Sequence, residues 1–322
     1  MYSMFIKRSL PPLLVSCQRV WDYGDHNAFT DLIYAFGRFY LSFRESDTHE
    51  KGQNGIIRIL TSSDGNAWEM NASLEVEGLD LRDPKLSVMP DGKLMLLCGA
   101  VKWDKEGNKL FIDSLVAFAN ERLEFSPFTQ VIERNDWLWQ ITWHQGVGYG
   151  VSYQTLKDAE KQIQLWETED GLTYKRLNIF KHPGKPNETV TRVLPNGTMI
   201  LLNRRNEPTT VSAMLGAAIF PYQDFVWKSV GYHLGGPNFL VFSDNDMWAA
   251  GRLIYLSPYH YTTKTVLIRS ASDGFKRELI LPSSGDTGYP GLVYHDGYLW
   301  ISYYSSHEGK AAIYVAKVML PN

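Results

Sequence analysis

The chain has 322 residues, 44% of them hydrophobic, which is enough for one large β domain or two ordinary ones and excludes a disordered polymer. Its 32 Lys and Arg against 35 Asp and Glu leave a formal charge of -3, so no long-range attraction draws it to nucleic acid or to an anionic membrane surface. No apolar run reaches the length of a bilayer-spanning helix, and membrane insertion is not expected.

At the N-terminus, "MYSMFIKRSLPPLLVSCQ" places Lys7 and Arg8 ahead of a short apolar stretch, and "LVSC" resembles a bacterial lipoprotein cleavage site. Pro11 and Pro12 interrupt that stretch, so a soluble chain, cytoplasmic sooner than secreted, is the expectation. The two cysteines, Cys17 and Cys98, give little reason for a disulfide; Cys98 in "LMLLCG" reads as a buried thiol.

From there the chain repeats. A turn between two strand-like runs recurs at Gly37, Gly92, Gly146, Gly197, Asn245 and Gly297, with spacings of 55, 54, 51, 48 and 52 residues. A second turn, "SSDGNAW", "TEDGLTY" and "ASDGFKR", places Asp64, Asp170 and Asp273 at separations of 106 and 103 residues, two units each time. Its chemistry is that of a hairpin in which Asp caps nearby backbone amides, Gly takes a positive φ and an aromatic packs back on the sheet. Short strand-like runs separated by Gly, Asn, Asp and Pro, without long amphipathic helices, predict an all-β chain. Units of this length fit four-stranded antiparallel blades around an axis, hence a single six-bladed β-propeller over residues 1–322. "AAIYVAKVML" is expected to supply an outer strand and the N-terminal residues to close the ring.

In a propeller the starts of the innermost strands ring one mouth of the central channel. Here those positions are His26 and Asn27, Arg82 and Asp83, Trp139 with His144, Glu188, Asn238, and Asp286 with Tyr289. Taken singly, each has an ordinary structural reading; together they point to a ligand pocket. The many aromatic residues suit stacking on sugar rings as well as core packing. The loop "RESDTHEKG", holding Arg44, Glu45, Asp47, His49 and Glu50, reads equally as a solvated charged loop or as a source of proton-transfer groups. Metal spacing and nucleotide fingerprints are lacking, so no cofactor is expected.

With its Asp-Gly turns, the chain resembles the sialidase-like β-propeller superfamily, whose blades carry such turns as structural elements. The resemblance implies Glu188, from "NE", as a general base and Arg204, with Arg205 as a register alternative, as a carboxylate-binding Arg. It further implies Tyr289, from "GDTGYPGLV", as nucleophile and Arg252 as a second carboxylate binder. The first blade departs from the pattern, with His26 and Asn27 where an Arg is expected, and Asp47 or His49 as substitutes for the acid/base. "RDP" at Arg82 to Pro84 also resembles five-bladed furanosidases, which keeps Asp83 among the catalytic candidates. The implied function is an exo-acting glycoside hydrolase acting on the terminal sugar of a glycan, an acidic sugar being favoured by the two Arg positions and a neutral one left open by the missing first-blade Arg. A noncatalytic carbohydrate-binding propeller is the rival, and a uronate-directed lyase, contradicted by the unit count, comes third.

Overall fold

The computed structural model describes residues 10–51, 55–120, 122–156, 159–208, 211–243, 246–257, 260–272 and 274–321. Among them lie 24 strands and no helix, sorted into six four-stranded antiparallel sheets.

Blade 1 contains β2 (His26–Ala35), β3 (Arg38–Ser46), β4 (Ile56–Ser62) and β5 (Glu69–Leu74). Blade 2 has β6 (Asp80–Val88), β7 (Leu94–Trp103), β8 (Lys109–Ala119) and the short β9 (Thr129–Gln130). Blade 3 is β10 (Asp136–His144), β11 (Val147–Gln154), β12 (Ile163–Thr168) and β13 (Lys175–Phe180). Blade 4 is β14 (Pro186–Val193), β15 (Met199–Arg205), β16 (Met214–Ala218) and β17 (Val226–Ser229). Blade 5 is β18 (Gly235–Ser243), β19 (Asp246–Ser257), β20 (His260–Ala271) and β21 (Gly274–Ile280). Blade 6 is β22 (Thr287–His295), β23 (Tyr298–Ser305) and β24 (Ala312–Met319), completed by β1 (Leu13–Trp21).

Ring closure is therefore shared between the two ends of the chain, as expected, with one correction. "AIYVAKVM" is the third strand of blade 6, and the outermost strand is the N-terminal "LLVSCQRVW", paired with it antiparallel. That strand carries Cys17, whose thiol lies 3.2 Å from the Tyr303 hydroxyl; Met1 to Ser9 fall outside the described residues. Closing the ring with a terminal strand satisfies a sheet edge that would otherwise stand open. Cys98 is a buried free thiol, as its apolar run predicts.

The repeated turns occupy equivalent places. Gly37, Gly92, Gly146, Gly197 and Gly297 each join the innermost strand of a blade to the next, all with φ between 76° and 88°. Asn245, the sixth, lies outside the described residues. The second type of turn joins the third and outer strands of blades 1 and 3. Asp64 Oδ1 accepts the amides of Asn66 and Ala67 at 2.8 and 3.0 Å, and Asp170 Oδ1 those of Leu172 and Thr173 at 2.8 and 2.7 Å. The following Gly65 and Gly171, at φ 74° and 73°, face the preceding blade, where a Cβ would stand 2.4 Å from Trp300 and 3.1 Å from Phe118 respectively. Glycine is needed there for both conformation and space. Asp273, in the matching turn of blade 5, is outside the described residues.

A feature of the inner strands decides where the site forms. In all six, the pairing with the second strand slips near the start: between Ala28 and Asp31, Arg82 and Lys85, Leu138 and Ile141, Pro186 and Thr189, Gly235 and Asn238, and Gly288 and Gly291. A β-bulge bends its strand and re-aims a side chain. Each slip leaves two residues unpaired, and among them are Phe29, Asp83, Trp139, Glu188, Gly236 and Tyr289, with Asn187 ahead of Glu188 in blade 4.

Candidate active site

Three of these bulge residues are strained: Phe29, Asp83 and Tyr289 have φ of 60°, 49° and 52°, a left-handed conformation that side-chain-bearing residues seldom adopt. Asp83 and Tyr289 are each followed by proline, which has no amide to give to the ladder and so suits the bulge.

Tyr289, Glu188 and Arg204 form a bonded group. The Tyr289 hydroxyl donates to Glu188 Oε1 at 2.6 Å, and Arg204 Nη1 donates to both Glu188 oxygens at 2.7 and 2.8 Å and to the Tyr289 hydroxyl at 3.0 Å. The amide of Gly236 closes the set on Glu188 Oε2 at 2.9 Å. Burial alone would raise the Glu188 carboxyl, but the Arg204 charge and these bonds outweigh it and hold it below its ordinary range. Burial, then the Glu188 charge, pushes the Tyr289 phenol up. The ground state is thus a carboxylate accepting from a neutral phenol. Arg205 faces elsewhere, donating to the carbonyls of Ser212 and Pro183, which assigns the register to Arg204.

Glu188 and Tyr289 line a cavity of about 340 Å³ with Phe29, His49, Arg82, Asp83, Trp103, Lys109, Trp137 and Tyr153. Larger hollows of about 630 and 820 Å³ lie at the periphery of blades 1 and 2, away from Glu188 and Tyr289. Asp83 is 6% exposed and its Oδ1 has no protein partner. Burial lifts its carboxyl to about 6 against the pull of Arg82 and Lys85, and the Glu188 charge adds to the rise. Two carboxyls of one cavity are therefore pushed apart, one toward the ionised and one toward the neutral form.

On the other flank of Tyr289, the Asp286 carboxylate collects donors from three segments. His26 Nε2 and His49 Nδ1 both reach Oδ2, at 2.8 and 2.6 Å, and the Tyr304 hydroxyl donates to Oδ1 at 2.8 Å. Arg252 Nη1 stands 3.9 Å from Oδ1, its guanidinium 5.8 Å from the centre of the Tyr289 ring. Burial raises Asp286, yet the bonds from His26 and His49 bring it below the ordinary range; burial lowers His26, favouring a neutral ring. Two of the dispersed histidines of the sequence thus meet in space. The atoms of His26, His49 and Asp286 lie within 4.8 Å of one another, a donor set of the kind that binds zinc. They are already spent on one another, and His26 Nδ1 has none of the partners that orient a metal-bound imidazole.

Other expected residues find partners within the fold or lie away from the cavity wall. Arg44 is fully buried, its Nε on Asp80 at 2.7 Å and its Nη1 on the Thr48 carbonyl at 2.7 Å, so it anchors the 46–50 loop instead of facing the cavity. Arg82 lines the cavity but is tethered to the His49 carbonyl at 2.7 Å. Asn27 donates to the carbonyls of Gly24 and Ala311, and Asn238 is committed to Arg192, the Phe239 amide and the Pro290 carbonyl, because both fill gaps between blades. Asp47 is exposed, accepts from Ser46 at 2.9 Å and is not among the residues lining the cavity. Trp139 is buried behind the Tyr289 ring, 5.9 Å between centres, and the tryptophan in the cavity wall is Trp137. His144 ends β10, next to its hairpin and away from the strand start.

Sequence reasoning missed Phe29, Trp103, Lys109, Trp137, Tyr153 and Gly236. A register slip cannot be read from composition, although the Asp-Pro, Gly-Pro and Tyr-Pro steps at residues 83–84, 236–237 and 289–290 mark three of the six bulges.

No protein-family model matches the sequence, and no curated protein matches it. Solved structures do share its fold. A protein of unknown function from Dyadobacter fermentans superposes with TM-score 0.74 at 17% identity, covering 97% of this chain and 99% of that one. The α-L-arabinofuranosidase of Fusarium graminearum gives 0.66 at 10% identity, covering 97% and 98%. The sialidase of Trypanosoma rangeli gives 0.66 at 11% identity, covering 96% of this chain but 58% of the sialidase. At such identities the likeness establishes a fold shared with glycoside hydrolases, the six-bladed β-propeller described above.

Proposed function

We propose that the protein is an exo-acting glycoside hydrolase in which Tyr289 is the nucleophile and Glu188 its base. The observation that carries this reading is the 2.6 Å bond from the Tyr289 hydroxyl to a buried carboxylate at the wall of a sugar-sized cavity. A phenol is a poor nucleophile at neutral pH unless its proton is taken as it attacks. As the Tyr289 oxygen bonds to the anomeric carbon, its proton passes to Glu188, while Arg204 stabilises the negative charge shared by the pair. The leaving oxygen takes a proton as the glycosidic bond breaks. Asp83, neutral up to about pH 6 and in the same cavity, supports that role better than the exposed Asp47, with His49 as the other donor in the wall. Water then attacks the glycosyl-tyrosine with the donor acting as base. Trp103, Trp137 and Tyr153 offer faces to a sugar ring.

The test is hydrolysis of a panel of aryl glycosides by the wild type, Tyr289→Phe and Glu188→Gln. Release from one substrate, suppressed by both substitutions, supports the mechanism; an undiminished rate in Tyr289→Phe refutes it. Saturable glycan binding retained in Glu188→Gln, with no release of any sugar, would instead make the protein a carbohydrate-binding propeller.

A further inference from the structure

We propose that the sugar accepted here carries no carboxylate, because Asp286 supplies from within the chain the anion that the cationic flank of the site would otherwise take from a substrate. The inference rests on reading the cavity as a sugar site and names the class of sugar.

Asp286 is largely satisfied within the chain. A carboxylate offers about four lone-pair directions, and His26, His49 and Tyr304 take three of them, with Arg252 beside the fourth. Its backbone is pinned as well: its amide donates to Ser306 Oγ at 2.9 Å and its carbonyl accepts the Ser306 amide at 2.9 Å. Arg252 stands with its guanidinium 5.8 Å from the centre of the Tyr289 ring and its Nη1 3.9 Å from Asp286 Oδ1, so its charge already faces a carboxylate of the chain, although its Nε has no protein partner.

The remaining cations are partly engaged, the Arg204 Nε having no protein partner. Arg204 serves Glu188 and Tyr289 through a single nitrogen, Arg44 is sealed against Asp80, and Arg82 is split between Asp80 at 3.4 Å and the His49 carbonyl. Around the cavity itself stand the carboxyl groups of Glu50 and Glu188, with Asp83 held toward its neutral form by burial, and two fixed cations, Arg82 and Lys109. An acidic sugar would have to displace Asp286 from Arg252 or bring its charge beside the ionised Glu188, and repulsion at such distances in a partly desolvated site is costly. A neutral sugar meets neither obstacle.

The experiment compares aryl glucoside, arabinofuranoside, glucuronide and sialoside for the wild type and Asp286→Asn, at low and high salt. The wild type is expected to favour a neutral glycoside over both acidic ones by at least about 100-fold in kcat/KM, and Asp286→Asn to narrow that preference by about tenfold or more, most strongly at low salt. Wild-type cleavage of an acidic glycoside as fast as of any neutral one, or an unchanged ratio in a folded Asp286→Asn, overturns the inference and leaves the glycosidase reading standing. Should Asp286→Asn fail to fold, the wild-type ratio decides. If nothing is cleaved, calorimetric titration of the wild type with the methyl glycosides of glucose, arabinose and glucuronic acid decides. Binding of a neutral sugar alone upholds the inference without catalysis; equal or better binding of the glucuronide overturns it; binding of none defeats both readings.

Discussion

The Tyr289 hydroxyl and Glu188 Oε1, 101 residues apart in sequence, are 2.6 Å apart across the ring, with Arg204 bonded to both. If that bond is the proton path, Tyr289→Phe and Glu188→Gln each lower kcat by about 10²–10⁴-fold, with little change in thermal stability for the near-isosteric phenylalanine. Steady-state kinetics beside a thermal melt would separate this from misfolding; equal losses of activity and Tm would contradict it.

Asp83 and Glu188 should shape the pH profile from opposite sides. Glu188 sits below its ordinary range and must be ionised, whereas Asp83, lifted to about 6, must be protonated to donate. The expected kcat/KM falls as pH rises through about 6, and Asp83→Asn lowers the rate and removes that alkaline limb. A limb of unchanged midpoint in the variant would assign the proton to another group, His49 first.

The same carboxyl carries a stability signature. Its folded pKa of about 6 exceeds the ordinary 3.8, so its contribution is fully present below pH 3.8 and is lost as pH rises through about 6. Asp83→Asn should therefore stabilise the protein by about 2–3 kcal/mol at pH 7–8 and by little at pH 3.5, the reverse of its effect on catalysis. Denaturant unfolding at the two pH values checks the sign.

Beneath the 46–50 loop, Asp80 is buried and held by Arg44 at 2.7 Å, Arg82 at 3.4 Å and the Trp103 indole at 3.1 Å. Arg44→Met leaves that carboxylate undercompensated and should cost about 3–5 kcal/mol, with His49 displaced from the cavity. Arg44→Met combined with Asp80→Asn should recover part of the loss, as a double-mutant cycle would reveal.

In the turns of blades 1 and 3, Gly65→Ala and Gly171→Ala force a Cβ against Trp300 and Phe118 in a conformation that glycine alone takes easily. Both should lower Tm, Gly65→Ala more because an indole ring has less room to yield, while kcat per folded molecule stays the same.

The architecture was legible in the sequence because a turn that must reverse the chain needs Gly, Asn or Asp, and those needs recur once per blade whatever surrounds them. A resemblance to a family pattern also singled out Glu188, Arg204 and Tyr289, which the fold brings into hydrogen-bond contact. Which polar residues at the mouth are free for chemistry is set only once the blades pack together. Asn27, Asn238 and Arg44 stand where the pattern wants ligands, but neighbouring blades use their donors, while Asp83 is left with an unpartnered oxygen. Such choices depend on partners 36 to 284 residues away and on a register slip in every inner strand. Local propensity encodes neither, so they emerge only when the ring closes and each side chain meets the blade beside it.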